Sequence, residues 1–135
     1  GPAYSDEQIA KVLAERKLTA TFESDIAATV AGLLAKDKIV GWFQGRMEAG
    51  PRALGGRSIL GCPSVPGVAD RINAQIKFRE RWRPFCPSML DTVGPQMLGS
   101  AHPAPFMTFT SGWRRRGRRA CRKSCTRTAP RAPRC

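Results

Sequence analysis

No stretch of this sequence approaches the ~18 consecutive apolar residues that a membrane-spanning helix needs, and no secretory signal precedes the first polar residues. These absences lead to the expectation of a cytoplasmic chain. Aromatics make up 7% of the residues, and there is one histidine, His102, between Ala101 and Pro103. With no carboxylate or nucleophile near it in sequence, His102 is expected to be a loop residue rather than a general base. There is no Gly-Lys-Ser/Thr phosphate loop and no Gly-x-Ser-x-Gly nucleophile turn. Five cysteines, an odd number without a secretory signal, argue against a disulfide framework. Cys121 and Cys125 could provide two zinc ligands, but a tetrahedral site needs four; they are expected to be surface thiols. Cys62 and Cys86 are expected to be small core residues rather than nucleophiles. The chain opens Gly-Pro-Ala-Tyr with no initiator Met, which suggests a processed chain or a piece of a longer one.

What is present in excess is positive charge. The 135 residues carry 23 Lys and Arg against 10 Asp and Glu, a net charge of +13. Ten of those positive charges fall within residues 111–135, which contain no acid and no Leu, Ile, Val, Phe or Met. Residues 1–110 are left with a net charge of only +3. With 41% apolar residues in the chain, the expectation is a folded segment over residues 1–110 and a disordered Arg-rich tail over 111–135. Trp113 would stand alone in that tail.

Ser5-Asp6-Glu7-Gln8 predicts a capping box and a helix to about Arg16. Ser24-Asp25 predicts a second helix to about Asp37, with Ile26, Val30, Leu33 and Leu34 on one face. Ile39 to Phe43 resembles a buried strand, and Ser58 to Cys62 a second one. Between them, Gly45 to Gly56 is a loop. Val68 to Lys77 predicts a helix with Val68, Ile72 and Ile76 aligned. Five prolines leave Pro84 to Pro105 without a clear pattern, and Phe106 to Thr110 alternates like a strand. Helices feeding short strands through tight turns indicate an α/β (α+β) fold.

The chemistry concentrates in two basic stretches. In the first, Arg46, Arg52 and Arg57 lie among Gly45, Gly50-Pro51 and Gly55-Gly56. A Gly-rich backbone can turn several amides toward one anion, and arginine adds a planar fork suited to phosphate oxygens. In the second, Lys77 and Arg79 stand two residues apart, on the same side of an extended segment. A solvated basic face partly paired with Glu48 and Glu80 is the plain alternative to a phosphate site.

Gly41-Trp42-Phe43-Gln44-Gly45-Arg46-Met47-Glu48, Gly50-Pro51-Arg52-Ala53-Leu54-Gly55 and Arg57-Ser58-Ile59-Leu60 resemble the signature of the O-carbamoyltransferases of nodulation-factor and antibiotic biosynthesis. Asp70-Arg71-Ile72-Asn73, Lys77-Phe78-Arg79-Glu80 and Arg83-Pro84-Phe85-Cys86-Pro87-Ser88 are similar to its continuation. The resemblance covers residues 1–110 and implies part of the family's carboxy-terminal YrdC-like domain, a twisted open sheet with flanking helices. It implies that this domain makes carbamoyl adenylate from carbamoyl phosphate and ATP. A separate amino-terminal domain, which holds a metal ion, would then pass the carbamoyl group to an acceptor hydroxyl. On that basis Lys77 and Arg79 match the nucleotide-binding Lys-x-Arg pair, and Arg46, Arg52 and Arg57 would hold phosphate oxygens. Asn73 or Ser58 would orient the carbamoyl amide. No metal ligand is expected in this chain.

Three departures stand out: Ala49 replaces a usual aromatic, Gly56 a usual Asn, and Arg81-Trp82 a Pro-aromatic step. The family's later Ser-x-Asn element is absent after Thr110. Arg122 to Thr128 can be written in codons whose neighbouring frame gives Pro-Glu-Val-Val-His-Ala-Asp, so a truncating frameshift after about residue 110 is expected to have produced the tail. The resulting fragment, without its partner domain, is expected to be inactive alone. The competing function is a module that binds nucleic acid non-specifically through residues 111–135.

Overall fold

The computed structural model describes residues 1–98, 105–108 and 111–115. Helix α1 spans Asp6–Glu15, and its capping box is complete: Ser5 Oγ accepts from the Gln8 amide while Gln8 Oε1 accepts from the Ser5 amide. Helix α2 spans Ile26–Ala35 and is capped by Asp25, whose carboxylate accepts from the Ala28 amide at 2.9 Å. Both helices end in paired reverse bonds. Leu18 donates to Leu13 and Lys17 to Ala14; Lys38 donates to Leu33 and Asp37 to Leu34. Each ending needs a left-handed residue, usually Gly. Here Lys17 (φ 52°) and Asp37 (φ 61°) take that place.

Strands β1 (Val40–Phe43) and β2 (Arg57–Leu60) pair antiparallel, with Val40 opposite Leu60 and Phe43 opposite Arg57. Gln44 donates to the Gly56 carbonyl at 2.8 Å, so Gly45 to Gly55 form the loop of one long hairpin. The mixed α/β class is confirmed, and the described sheet has two strands.

Helix α3 (Val68–Ile72) does not continue as α. It passes into a π-helical turn, Asn73–Lys77. Wider π spacing breaks the i, i+4 alignment, so the expected Val68-Ile72-Ile76 stripe is lost. Val68 and Ile72 are buried while Ile76 is 41% exposed, and Asn73 is buried beside Ile72. Among the described residues, the buried apolar ones are Val30, Val68, Ala69, Ile72 and Leu98. Helix α3 lies close against the end of β2: a Cβ on Gly61 would come within 2.7 Å of Val68 Cγ2 and 3.0 Å of Ile72 Cδ1. Arg71 ties α3 to the end of α2 through a two-pronged bond to Asp37 at 2.7 and 2.5 Å.

Helix α4 (Gly94–Met97) breaks the unpatterned stretch after Pro84, with Pro95 in its first turn. The strand expected over Phe106 to Thr110 is not formed over its described part: Pro105 and Phe106 lie in a turn, and Met107 has φ 53°. Trp113 does not stand alone. It bridges to Leu98, and Arg114 donates from its amide to Met97 O (2.9 Å) and from Nε to Leu98 O (3.0 Å). The start of the expected tail is therefore packed on α4. His102, Thr110 and the cysteines at 121, 125 and 135 lie outside the described residues.

Candidate functional site

The hairpin loop is organised by an internal anion. Glu48 Oε2 accepts from the Leu54 amide at 3.0 Å and Oε1 from the Gly56 amide at 2.9 Å. These bonds hold the Glu48 carboxyl below the usual carboxylate range, with Arg57 adding a favourable charge. Amides expected to face a ligand anion thus face the chain's own carboxylate. The loop arginines are also partly occupied. Arg46 Nε donates to Gly1 O at 2.9 Å, and Arg57 Nη2 donates to Gly50 O. Arg52 is exposed and makes no hydrogen bond or ion pair among the described residues. Ser58 is half-buried on β2 opposite Trp42. Gly56 is tight: a Cβ there would lie 3.2 Å from Glu48 Cγ and Cδ.

The second basic stretch is built differently. Lys77 closes the π turn and Phe78 follows in the left-handed region (φ 45°, ψ 52°), so Lys77 and Arg79 do not share one side of an extended segment as expected. Lys77 is exposed. Three neighbouring arginines are neutralised: Arg71 by Asp37, Arg81 by Asp70 at 2.6 Å, and Arg83 by Glu80 at 2.8 Å. Asp37, Asp70 and Glu80 are each held below the usual carboxylate range, the first two chiefly by the bond to the arginine.

Arg79 has no carboxylate partner among the described residues. Its Nε donates to Asn73 Oδ1 at 2.7 Å, and its guanidinium lies 4.7 Å from the Phe85 ring centroid. Burial lowers its pKa and the Arg83 charge adds to the effect, while the nearby Glu80 charge opposes it. Neutral groups on two sides fix the cation without cancelling it. Asn73, only 1% exposed, also accepts from the Arg79 amide at 3.1 Å and donates from Nδ2 to Arg83 O at 3.3 Å. Of the expected site residues, Asn73 and Arg79 are brought into direct contact. No hydrogen bond or ion pair among the described residues joins them to Arg46, Arg52, Arg57 or Ser58.

Phe85 was missing from the expected site. The signal was an aromatic six residues after an arginine, which says nothing until the segment between them folds back. Cys62 is half-buried rather than buried, and its Sγ lies 2.9 Å from Ser64 Oγ. That contact and the Ser64 amide lower its pKa. The described residues contain no cluster of three His, Cys, Asp or Glu able to hold a metal ion. No helix in the described part is long and apolar enough to cross a membrane.

The sequence pattern of the carbamoyltransferase C-terminus matches residues 31–127. This chain belongs to that family. The match crosses Thr110, where the sequence alone places the end of the resemblance. Among the relatives of the carbamoyltransferase C-terminal chain, the uncharacterized protein sll1178 of Synechocystis is 40% identical over 82% of this chain and 19% of its own length. Nodulation protein NolO of Bradyrhizobium diazoefficiens is 46% identical over 63% of this chain and 16% of its own. Nodulation protein U of Sinorhizobium fredii is 46% identical over 59% and 14%. The chain thus spans about a fifth or less of the length of these curated relatives.

Proposed function

We propose that this carbamoyltransferase C-terminal chain contributes the anion-binding part of a site that takes carbamoyl phosphate and ATP and forms carbamoyl adenylate, within an enzyme whose other domain carries out the transfer. The observation that supports it is Arg79: a half-buried, fixed guanidinium with no acidic partner among the described residues. Water cleaves carbamoyl phosphate to carbamate and inorganic phosphate; a carbamate oxygen then attacks the α-phosphorus of ATP, and pyrophosphate departs. That step asks mainly for charge neutralisation and alignment. Arginine provides both without acting as a nucleophile. Lys77, exposed two residues before it, adds charge without a fixed position. Arg52 is the loop arginine left open to a second phosphate group.

Titration calorimetry of the full chain with ATP and with carbamoyl phosphate tests this. Arg79→Ala is expected to weaken binding of either by about tenfold to a hundredfold, the range of one charge-assisted contact. Unchanged binding removes the assignment.

A second function rests on the ten positive charges of residues 111–135: non-specific attachment to nucleic acid, weakening steeply as salt rises. Deleting residues 116–135 separates the two. With eight of the ten charges removed, nucleic-acid binding should fall steeply, while ATP binding that depends on Arg79 persists.

A further inference from the structure

The ion pairs around the π turn leave Asn73 with an unusual task. It is the buried polar residue of the described core, and while its amide closes α3 on Ala69, its side chain bonds only to the segment that follows it, to Arg79 Nε and the Arg83 carbonyl, and its carbonyl accepts from the Arg79 amide. An amide side chain in that place supplies one acceptor and one donor and no net charge. The guanidinium is gripped at Nε, and Nη1 and Nη2 make no hydrogen bond among the described residues. They form the end of the fork that suits two oxygens of one phosphate. Next in the chain is Glu80, whose Oε2 holds Arg83 Nε at 2.8 Å. The Glu80 charge already acts on Arg79 without a hydrogen bond between them, and a guanidinium released from Asn73 would be free to close on it.

We propose that Asn73 is a positioning residue rather than a substrate contact: it locks Arg79 by Nε, points the Nη pair at a phosphate group, and keeps the cation from collapsing onto Glu80. This rests on Arg79 binding phosphate as proposed above. It replaces the role expected from sequence, in which Asn73 orients the carbamoyl amide. It also explains why a neutral acceptor suits the position. Aspartate would grip Nε as well, but would neutralise the charge that the ligand needs.

The test is titration of the full chain with ATP at physiological salt, with circular dichroism to confirm folding. Asn73→Ala should weaken ATP binding by about tenfold, approaching Arg79→Ala. Adding Glu80→Gln to Asn73→Ala should restore much of the loss, to within about threefold of Glu80→Gln alone, because the competing carboxylate is gone. A merely structural asparagine gives no such rescue.

If Asn73→Ala does not fold, the wild-type nitrogen–proton spectrum decides. The Arg79 Nε–H signal, assigned by its loss in Arg79→Lys, must exchange slowly with water; rapid exchange overturns the proposal. Full ATP affinity in a folded Asn73→Ala, with binding lost in Arg79→Ala, overturns the positioning role and leaves the phosphate site standing. Full affinity in Arg79→Ala overturns both.

Discussion

Two basic segments of this chain look equally suited to phosphate in the sequence, yet the structure treats them in opposite ways. In the hairpin loop, the backbone amides that could meet an anion are filled by Glu48, and two of three arginines spend hydrogen bonds on main-chain carbonyls. In the segment after α3, acids neutralise the flanking arginines, while Arg79 is held by an amide and an aromatic ring. The number of basic residues does not separate the two. What separates them is burial and what the anion-binding groups already hold: Arg46 and Arg57 are exposed in a loop whose amides are taken by Glu48, whereas Arg79 is half-buried and fixed by neutral groups. A neutral clamp leaves the charge of the guanidinium uncancelled, whereas a carboxylate, as at Arg81 and Arg83, offsets it.

The sharpest way to break this contrast is a paired substitution. Arg79→Ala should reduce ATP affinity by about tenfold or more, and Arg46→Ala should change it by less than about twofold, since Arg46 is exposed beside amides that Glu48 already fills. Calorimetry that finds the reverse order would move the site into the hairpin. Next in size is Gly61→Ala. The new methyl group would press on Val68 and Ile72, and overpacking of this kind costs ~1–3 kcal/mol. Because α3 leads directly into Asn73, thermal melts should show the loss, and the Arg79 Nε–H signal should shift. The Leu54 and Gly56 amides should not.

A smaller effect is expected from acid. The folded-state pKa of Glu48 is depressed, so its contribution is present above the ordinary carboxylate pKa of about 4.3 and is lost as pH falls through the lower folded value. Exchange protection at Leu54 and Gly56 should therefore persist at mildly acidic pH and disappear only in stronger acid. Glu48→Gln should remove that pH dependence and expose one of the two amides. The Arg79 signal should be indifferent to this substitution. The smallest change should come from shortening the chain. Ending it after Arg115 should leave the melting temperature nearly unchanged, and ending it after Thr110 should lower it, because Trp113 and Arg114 are bonded to α4.

Much of the scaffold was legible in the sequence because its signals are local. Ser5 with Gln8, and Asp25 ahead of Ile26, announce helix starts through bonds spanning three residues. Glycines and prolines mark the hairpin loop. Features that depend on distant partners were hidden. Lys17 and Asp37 end helices where glycine is the usual marker, and Asp37 also receives Arg71 from 34 residues away. The π turn follows no composition rule, so Ile76 looked like a core residue. For Glu48, pairing with an arginine was the plain alternative, because sequence shows side-chain charges and not the direction in which amides point. At the site, both Asn73 and Arg79 were visible as candidates, but their contact, and the ring of Phe85 behind it, arise only when the chain doubles back.

That doubling back acts as a ruler. Asn73 holds Arg79 twice, once by its main-chain carbonyl and once by its side chain, across a fixed gap of six positions. Both bonds can close together only if the π turn and the left-handed Phe78 use up the intervening residues in this one way. An insertion or deletion between them would swing the guanidinium away from its amide, even if every remaining side chain were kept. In this segment, length is under tighter constraint than composition.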